Sequence, residues 1–240
     1  MSVACSDCGL RRKPYFRQFV GNELDFVASS KESHINLDAK TEIAPDSLYT
    51  LYGGWAFRYM RNPDGARQIL DFLLPGDLIG QETLLKYKPN HALQTLTPVS
   101  LCALRASTFD QIVRRYPDLT THILCNLLDD RRRLDNRLVA IGKSNGAQRV
   151  AYLMSELYER QRQRGMANET DRWCNFPLRR QHIADALGMS GTHVNRALID
   201  LRSASLATLA SNMLAVDDWE RLAAFGRYSW FRHEMPRAII

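Results

Sequence analysis

Several features that would assign this chain to a large class of proteins are missing from its sequence. None of its apolar runs approaches the roughly 18 residues of a membrane-spanning helix, and the N-terminal segment MSVACSDCGLRRK has no apolar core of the kind found in signal peptides. The chain also lacks a glycine-rich phosphate loop, a close set of His and carboxylate residues for a metal, and a nucleophile elbow. We therefore expect a cytoplasmic protein with no membrane partner and no enzymatic activity.

The composition is that of a folded protein with reduced thiols. The chain has five cysteines, an odd number that cannot all pair within one chain. Hydrophobic residues make up 45% of the 240 residues, which argues against disorder, and the length suffices for one large domain or two modest ones. The net charge of +6 is a mild basic excess that is compatible with a polyanionic partner.

The most informative stretch is QHIADALGMSGTHVNRALIDL, residues 181–201, which predicts two short helices that meet at a tight turn. Gly188 permits the left-handed backbone that ends the first helix, and Ser190 is a favourable N-cap for the second. Helical spacing predicts that both helices bury an apolar side formed by Ile183, Ala184, Leu187, Val194, Ala197, Leu198 and Leu201. The opposite face of the second helix carries Thr192, Asn195, Arg196, Ile199 and Ser203, with Gly191 and His193 at its edges.

A short helix with this polar face is suited to the major groove of DNA, because Arg can pair with guanine and Asn with adenine. Arg196 would contact a base edge, the neighbouring residues of its helix would share base and phosphate contacts, and the first helix would contact the backbone. The candidate DNA-binding residues are Arg179, Arg180, Gln181, Ser190, Thr192, His193, Asn195 and Arg196. The alternative for this stretch is an ordinary helical hairpin with a solvated outer face.

Between Ile35 and Phe109, short β-prone runs alternate with turn residues at intervals of about ten, a pattern typical of all-β structure. The runs are LYTLYGG, WAFRYMR, QILDFLL, DLIGQ, ALQTLTP and SLCALRA, and NPDG at 62–65 predicts a hairpin turn. We predict a small roll whose core contains Leu51, Trp55, Phe57, Ile69, Phe72, Leu74, Ile79, Leu96 and Leu101. A ligand-stacking role for Trp55 is the alternative, but apolar periodicity explains this residue without a ligand.

A long helix is predicted after Pro117, and its apolar stripe indicates pairing with a second copy of the chain. The stripe has heptad-like spacing, with a polar interruption near Asp130 and Arg131, and consists of Ile123, Leu127, Leu134, Leu138 and Ile141. A helix of about 25 residues cannot cover such a stripe against a small roll along its full length, so we expect a parallel homodimer. The mixed-sign run DDRRRLD predicts a solvated, salt-bridged flank.

The order of these patterns predicts five segments in an α+β fold. They are a flexible, unstructured Cys-containing arm over 1–14, a roll over 15–116 that opens with a helix at 15–29, and a dimerisation helix with its hinge over 117–143. A winged helix-turn-helix domain is predicted over 144–217, including a helix at 147–164 with Val150, Leu153, Met154 and Leu157 inward, a loop at 165–176 and a wing at LATLASNMLAV. A tail with one more amphipathic helix is predicted over 218–240.

This order of parts resembles the CRP/FNR family of bacterial transcription regulators. The resemblance covers residues 15–216 and is most specific in FLLPGDLIG, in the long helix and in LRRQHIADALGMSGTHVNRAL. It implies a cyclic-nucleotide-binding-type β-roll (jelly roll), a dimerisation helix and a winged helix-turn-helix that binds palindromic double-stranded DNA as a homodimer. It also implies RNA polymerase as a partner. The alternative function is a ligand- or redox-sensing module that regulates through protein contacts.

The sequence departs from the relatives that bind cyclic AMP. Those relatives carry a Gly-Glu pair after the turn that corresponds to LPGD and an Arg-Ser/Thr pair beyond it. Here the first pair is Gly80 and Gln81, and the second is His91 and Ala92. The missing Arg removes the charge that would balance a cyclic phosphate, so we do not expect cyclic AMP to bind. Glu82 is expected to be a surface carboxylate.

The FNR branch of the family holds an iron-sulfur cluster on N-terminal cysteines and one cysteine of the roll. Cys5 and Cys8 match its C-x-x-C, and Cys102 lies where the roll ligand would be, but Pro14 occupies the position of a further cysteine. A cluster normally needs four ligands. An iron-sulfur cluster, a redox-active or metal-sensing thiol site, and inert cysteines therefore remain as alternatives. Cys174, just before the helix-turn-helix, is a further candidate for oxidation near DNA.

The recognition helix also differs from those of better-known relatives, which place Glu three or four residues before Arg. Thr192 and Gly191 stand at those places here, while Arg196 remains. Glu would accept a hydrogen bond from cytosine and orient the Arg, so its absence predicts a different DNA half-site.

Overall fold

A computed structural model describes residues 4–44, 47–82, 87–105, 107–168, 170 and 172–228. The described chain forms two compact units. The first contains the residues up to Met60 and those of Asp71–Asp129, and the second contains Arg61–Leu70 and Asp130 to Tyr228. The second unit therefore includes a short piece of the chain that lies far upstream of the rest of it.

In the part of the roll that the structure describes, seven strands form two sheets. They are β1 (Lys31–Leu37), β2 (Leu48–Gly53), β3 (Ala56–Arg61), β4 (Arg67–Leu73), β5 (Leu78–Ile79), β6 (Ala92–Thr95) and β7 (Val99–Leu104). One sheet has the order β1-β7-β2-β5 and the other β4-β3-β6. Every β-prone run that we predicted contains a strand. Strand β1, with its polar residues Glu32, Ser33 and Asn36, falls mostly outside the predicted region.

The core of the roll agrees closely with the prediction. Residues that are at most 5% exposed include Leu51, Trp55, Phe57, Ile69, Phe72, Leu74, Ile79 and Leu101. Leu96 is only half-buried, so its assignment to the core was wrong. Trp55 is 4% exposed and its ring lies in the core, which supports packing over ligand stacking.

The N-terminal residues that the structure describes are ordered against the roll, contrary to the prediction of an unstructured arm. A 3-10 turn spans Cys5–Asp7, and Cys8 and Leu10 are buried. The first helix, α1, spans Glu23–Ser30 and so begins well after Tyr15. Phe16 lies outside it and packs against Gly76 (φ +92°), where an added Cβ would lie 2.4 Å from the Phe16 ring. Glycine is therefore required at this turn.

A second apolar cluster packs α1 and the following helices. Helix α2 spans Thr108–Arg115, and helix α3 spans Pro117–Lys143. Val27, Ile112 and Leu119 join strand residues in this cluster. Ile123 belongs to it too and is 1% exposed. Its assignment to a dimer interface is therefore wrong, because its side chain is already covered by its own chain.

Helix α3 has the bounds that the sequence predicted and, at about 1.5 Å per residue, is about 40 Å long. It passes from the first unit to the second at Asp129 and Asp130, where the polar interruption was noted. The predicted salt-bridged flank is present in part: Arg133 Nη1 lies 2.6 Å from Asp130 Oδ1. No helix of the described residues is sufficiently long and apolar to cross a membrane.

The second unit is built around helix α4 (Gly146–Gln163), which is covered on all sides. Asn145 caps it in a capping box with Gln148. Every residue from Val150 to Gln161 is buried, including Glu156, Glu159 and Arg160. A helix that buries carboxylates must supply them with partners. The Arg137 guanidinium of α3 donates hydrogen bonds of 2.6 and 3.2 Å to the two Glu156 carboxylate oxygens, and Arg160 Nη1 lies 3.7 Å from Glu156 Oε1.

The helix-turn-helix packs on α4, and the wing contacts the recognition helix through its first strand. Helix α5 spans Arg180–Leu187 and α6 spans Gly191–Ser203. Strands β9 (Ala207–Ala210) and β10 (Met213–Val216) form the predicted wing, with positive φ at Ser211 and Asn212 in the turn between them. A third strand, β8 (Trp173–Asn175), pairs with β10 within the segment predicted to be a loop.

The start of the C-terminal tail completes the coverage of α4. Helix α7 spans Trp219–Phe225, and the backbone after it passes so close to α4 that a Cβ on Gly226 would lie 2.6 Å from the Tyr152 nitrogen. The Tyr228 ring contacts those of Tyr152 and Trp219, with centroids 5.6 and 5.9 Å apart. The sequence predicted this helix but not its role; the rest of the tail lies outside the described residues.

We expect Arg137→Met to lower the free energy of unfolding of the second unit by about 3 kcal/mol. The substitution leaves the Glu156 carboxylate, which is 1% exposed, without its closest partner. The matched control is Arg131→Met on the same helix, where the side chain is 79% exposed and the cost should stay within about 0.5 kcal/mol. Urea unfolding followed by circular dichroism measures both. Equal stability of the two variants would contradict a structural role for the ion pair.

Candidate functional site

The recognition helix α6 begins at a cap that orders two of the candidate DNA-binding residues. Ser190 is the N-cap, and its Oγ accepts a hydrogen bond from the His193 backbone N–H at 3.3 Å. The His193 Nδ1 lies 3.0 Å from the same hydroxyl. Gly188, at the C-terminal cap of α5, has the predicted left-handed backbone with φ of 60°. The turn thus fixes where α6 starts and how its first turn presents its side chains.

One face of α6 is left uncovered by the rest of the unit. Val194, Ala197 and Leu201 are buried, whereas Leu198 is half-buried. Thr192, His193, Arg196 and Ile199 are exposed, as the helical spacing predicted, and Asn195 is half-buried. The first turn of the helix carries no acidic residue. The face therefore combines hydrogen-bond donors and an apolar side chain, the groups that read base edges in the major groove.

A groove of about 560 Å³ lies beside the start of α6 and extends the candidate site to residues that sequence reasoning missed. Ser190, His193 and Arg196 line it together with Asn145, Arg149 and Asp200. The N-terminus of α4 also borders the groove through Gly146 and Ala147. The chain that follows α3 therefore lies beside the recognition helix. The signal in the sequence was the good N-cap Asn145, which marks a helix N-terminus suited to a phosphate.

The first turn of α5 exposes Arg179, Arg180 and Gln181, the predicted backbone contacts. The His182 imidazole accepts a hydrogen bond from the Arg179 N–H at 3.1 Å and so caps this helix. Burial, and secondly the nearby Arg67 guanidinium, lower the pKa of His182 to about 4. The ring therefore stays neutral near pH 7 and keeps its nitrogen available as an acceptor.

In the roll, the position where relatives bind a cyclic nucleotide has a different arrangement of polar groups. Gln81 donates to the Leu78 carbonyl at 3.0 Å. His91 Nε2 lies 3.7 Å from Glu82 Oε1, so Glu82 is a half-buried partner of His91 instead of a lone surface carboxylate. Burial, followed by the Arg58 charge, lowers the pKa of His91. A mostly neutral imidazole does not replace the phosphate-binding Arg of those relatives.

The cysteines singled out in the sequence line one small cavity of about 20 Å³. Cys5, Cys8 and Cys102 line it together with His34 and Arg11. Cys102 Sγ lies 3.1 Å from His34 Nε2, and burial raises the pKa of Cys102 to about 11. The structure thus brings together three thiols that are almost a hundred residues apart in the chain.

These residues do not fit an iron-sulfur cluster. Within the residues that the structure describes, no three Cys, His, Asp or Glu side chains are grouped so that they could hold a metal ion. Pro14 also stands where a further cysteine ligand would be required.

Cys174 is not placed for oxidation near DNA, contrary to the hypothesis from the sequence. Its side chain is 0% exposed, and its sulfur accepts a hydrogen bond from Gln161 at 3.1 Å. Burial raises the pKa of this thiol to about 12. A protonated and enclosed thiol is a poor nucleophile, so Cys174 is a core residue of the second unit.

Comparison with known protein families agrees with the two parts of the fold. Residues 148–225 match the Crp-like helix-turn-helix domain, and residues 40–116 match the cyclic nucleotide-binding domain. The chain belongs to the CRP/FNR family of transcription regulators, in its FixK/FNR-like part, and its helix-turn-helix is a DNA-binding domain.

Relatives of this kind match over nearly the full length. The nitrogen fixation regulation protein FixK of Bradyrhizobium diazoefficiens is 26% identical over 89% of this chain and 90% of its own. The fumarate and nitrate reduction regulatory protein of Yersinia pestis is 23% identical over 92% of this chain and 90% of its own length. The solved structure of FixK2 from Bradyrhizobium japonicum has the same fold, with a TM-score of 0.70 and 21% identity, and the match covers 80% of this chain and 96% of that chain. These relatives are regulators and not enzymes, which confirms the prediction that this chain is no enzyme.

We expect the cysteines to react with iodoacetamide in the order of their exposure. At pH 8 the half-buried Cys5, whose neighbours are exposed, should be labelled first. Cys174 and Cys102 should react at least about tenfold more slowly, because burial raises the pKa of both thiols. Mass spectrometry of peptides measures the labelling, and the same protein in denaturant, where all thiols react, is the control. Rapid labelling of Cys174 in the folded protein would contradict its burial.

Proposed function

We propose that this transcription regulator acts as a homodimer that reads a palindromic site in the major groove with helix α6. The observation that carries the proposal is the uncovered face of α6, where Arg196 stands between Thr192 and Ile199 on a helix whose opposite side is buried. Arg196 contacts a base edge, and Thr192, His193 and Asn195 share base and phosphate contacts. Arg179, Arg180 and Gln181 contact the backbone at the start of α5, and Ser190 orders α6 beside the phosphates.

Exposed apolar side chains on α3 support a dimer. The fractions exposed are 52% for Leu124, 63% for Leu128, 70% for Leu138 and 62% for Val139, and Leu127 is 38% exposed. Positions 124, 128 and 138 lie close to one face at heptad-like spacing. Leu127 and Leu138 of the predicted interface stay in the proposal, with Leu134 and Ile141 half-buried at its side. Leu124 and Leu128 replace Ile123. A second copy of α3 is the partner that covers such a stripe.

A signal reaches this regulator through the roll. The cavity lined by Cys5, Cys8 and Cys102 is the feature that supports redox or thiol sensing there. RNA polymerase is the protein partner that membership of the family suggests.

We expect Arg196→Ala to weaken binding to the preferred duplex by about 1 to 3 kcal/mol and to relax selectivity at one base pair of each half-site. Arg180→Ala should weaken binding to all duplexes alike, because a phosphate contact carries no sequence information. The preferred duplex comes from selection on a random library, and fluorescence anisotropy gives the affinities. Equal losses on preferred and random duplexes for both variants would remove the assignment of Arg196 to a base.

We expect the double variant Leu128→Glu/Leu138→Glu to be monomeric at micromolar concentration, because four buried carboxylates would meet in each dimer interface. Affinity for the palindrome should fall roughly a hundredfold, since the two recognition helices are no longer linked. Analytical ultracentrifugation measures the mass. The control is Val113→Glu on α2, which is 46% exposed outside the proposed interface and should leave the dimer intact. A wild-type chain that is itself monomeric would remove the homodimer from the proposal.

A further inference from the structure

The piece of the chain that joins strands β3 and β4 is part of the same compact unit as the helix-turn-helix. Arg61–Leu70 contains the turn between the two strands and the start of β4. Gln68 Nε2 donates to the Ala186 carbonyl of α5 at 3.1 Å. At the other end of this piece, the Leu70 carbonyl accepts a hydrogen bond from Arg137 Nη1 at 2.7 Å. The hairpin tip, which we define as residues 61–70, is thus held against α5 and α3.

The strongest of these contacts involves a carboxylate of α5 whose two oxygens have different partners. Arg67 Nε and Nη2 lie 2.7 and 2.6 Å from Asp185 Oδ2. Gln181 Nε2 donates to Asp185 Oδ1 at 2.6 Å, one helical turn away. The ion pair is largely shielded from water, with side-chain exposures of 19% for Arg67 and 10% for Asp185. A hydrogen bond to an ionised acceptor is stronger and shorter than a neutral one.

The Gln181 side chain is exposed in the first turn of α5, where the proposed function places a DNA backbone contact. Its amide would otherwise rotate among several rotamers. The bond to Asp185 uses one of its two N–H groups and leaves the other N–H available as a donor to a phosphate oxygen. Asp185 thereby fixes the direction in which Gln181 points.

Asp185 can serve DNA binding only while its charge is balanced. Without Arg67, a poorly hydrated carboxylate would lie one turn from the residues that approach the phosphates, and like charges repel. Arg67 thus has two effects: it holds the carboxylate that orients Gln181, and it cancels the negative charge near the DNA. Both effects depend on the hairpin tip lying on α5.

We propose that Arg67 is a positioning residue for DNA binding, which acts through Asp185 on Gln181 and connects the hairpin tip to the DNA-contacting turn of α5. The inference rests on the proposed function. Displacement of the hairpin tip removes Arg67 from Asp185, frees the Gln181 amide and leaves a repulsive charge beside the backbone. The position of the tip therefore sets the affinity for DNA without any contact between Arg67 and the nucleic acid.

The test is a double-mutant cycle on the full chain with the selected duplex. We expect Arg67→Met to weaken binding about five- to tenfold, the size of the loss of one ordinary hydrogen bond between Gln181 and the DNA backbone. Arg67→Lys keeps the charge and should remain within about twofold of the wild type. The matched control is Arg61→Met, which removes an exposed arginine from the same hairpin tip and should leave binding unchanged.

The coupling to Gln181 separates a positioning role from a structural one. We compare the loss of binding free energy that Arg67→Met causes in two backgrounds. In the Gln181→Ala background this loss should be less than half of the loss in the wild-type background, because the side chain that Arg67 positions is absent. Adding Asp185→Asn to Arg67→Met should recover affinity, since the amide removes the unbalanced charge and keeps an acceptor for Gln181. Thermal unfolding checks that each variant is folded.

Two results would overturn the inference. One is that Arg67→Met binds DNA with the affinity of the wild type. The other is that the fold-loss of affinity in the double variant equals the product of the fold-losses of Arg67→Met and Gln181→Ala. Failure of the proposed function looks different. In that case the wild-type chain would show no preference for any duplex and Arg196→Ala would change nothing, whereas failure of this inference alone leaves the effect of Arg196→Ala intact.

Discussion

The second unit depends on the neutralisation of charge inside it. Helix α4 is buried over twelve consecutive residues and still carries Glu156, Glu159 and Arg160. Such a helix is stable only if each buried charge has a partner, and Glu156 obtains its closest one, Arg137, from the end of α3. Glu159 is paired with Arg162 at 2.7 Å. Because α5, α6 and α7 all pack on α4, the ion pair between Arg137 and Glu156 supports the helix-turn-helix and the surface that we propose contacts DNA.

Hydrogen bonds between neighbouring polar groups also order the candidate site. Ser190 and His193 order the start of α6, and His182 caps α5 as a neutral acceptor because its pKa is low. Asp185 holds an arginine on one oxygen and a glutamine on the other. Ser190, His193 and Gln181 are exposed residues of the candidate site itself, whereas His182 and Asp185 are half-buried. The exposed face of α6 carries Thr192, His193 and Arg196 as hydrogen-bond donors and Ile199 as an apolar side chain.

Local periodicity predicted most of the fold. The bounds of α3, the strands from β2 to β7, the helix-turn-helix and the wing all follow from apolar spacing, caps and turn residues within one element. Strand β1 was missed because Glu32, Ser33 and Asn36 interrupt any alternation. Ile123 was misassigned because helical spacing shows which residues share a face but not whether the partner is the same chain or another.

The candidate site was predictable only where its residues are neighbours in sequence. The exposed face of α6 follows from a single helix, and so do the arginines that open α5. The partners of Asp185 and Glu156 lie 118 and 19 residues away, and nothing local marks Arg67 or Arg137 as their counterparts. The N-terminal and roll thiols were matched only through the family resemblance, which gave their proximity but not the burial that keeps Cys102 protonated.

The origin of Arg67 and Arg137 upstream of Ser144 bears on how this protein can evolve. A helix-turn-helix exchanged with a relative at that junction would arrive without the two arginines that its Asp185 and Glu156 require. The domain is therefore not an interchangeable cassette. A substitution at 185 or 156 would leave Arg67 or Arg137 without its ion-pair partner, so the helix-turn-helix domain depends on charges that two upstream segments supply.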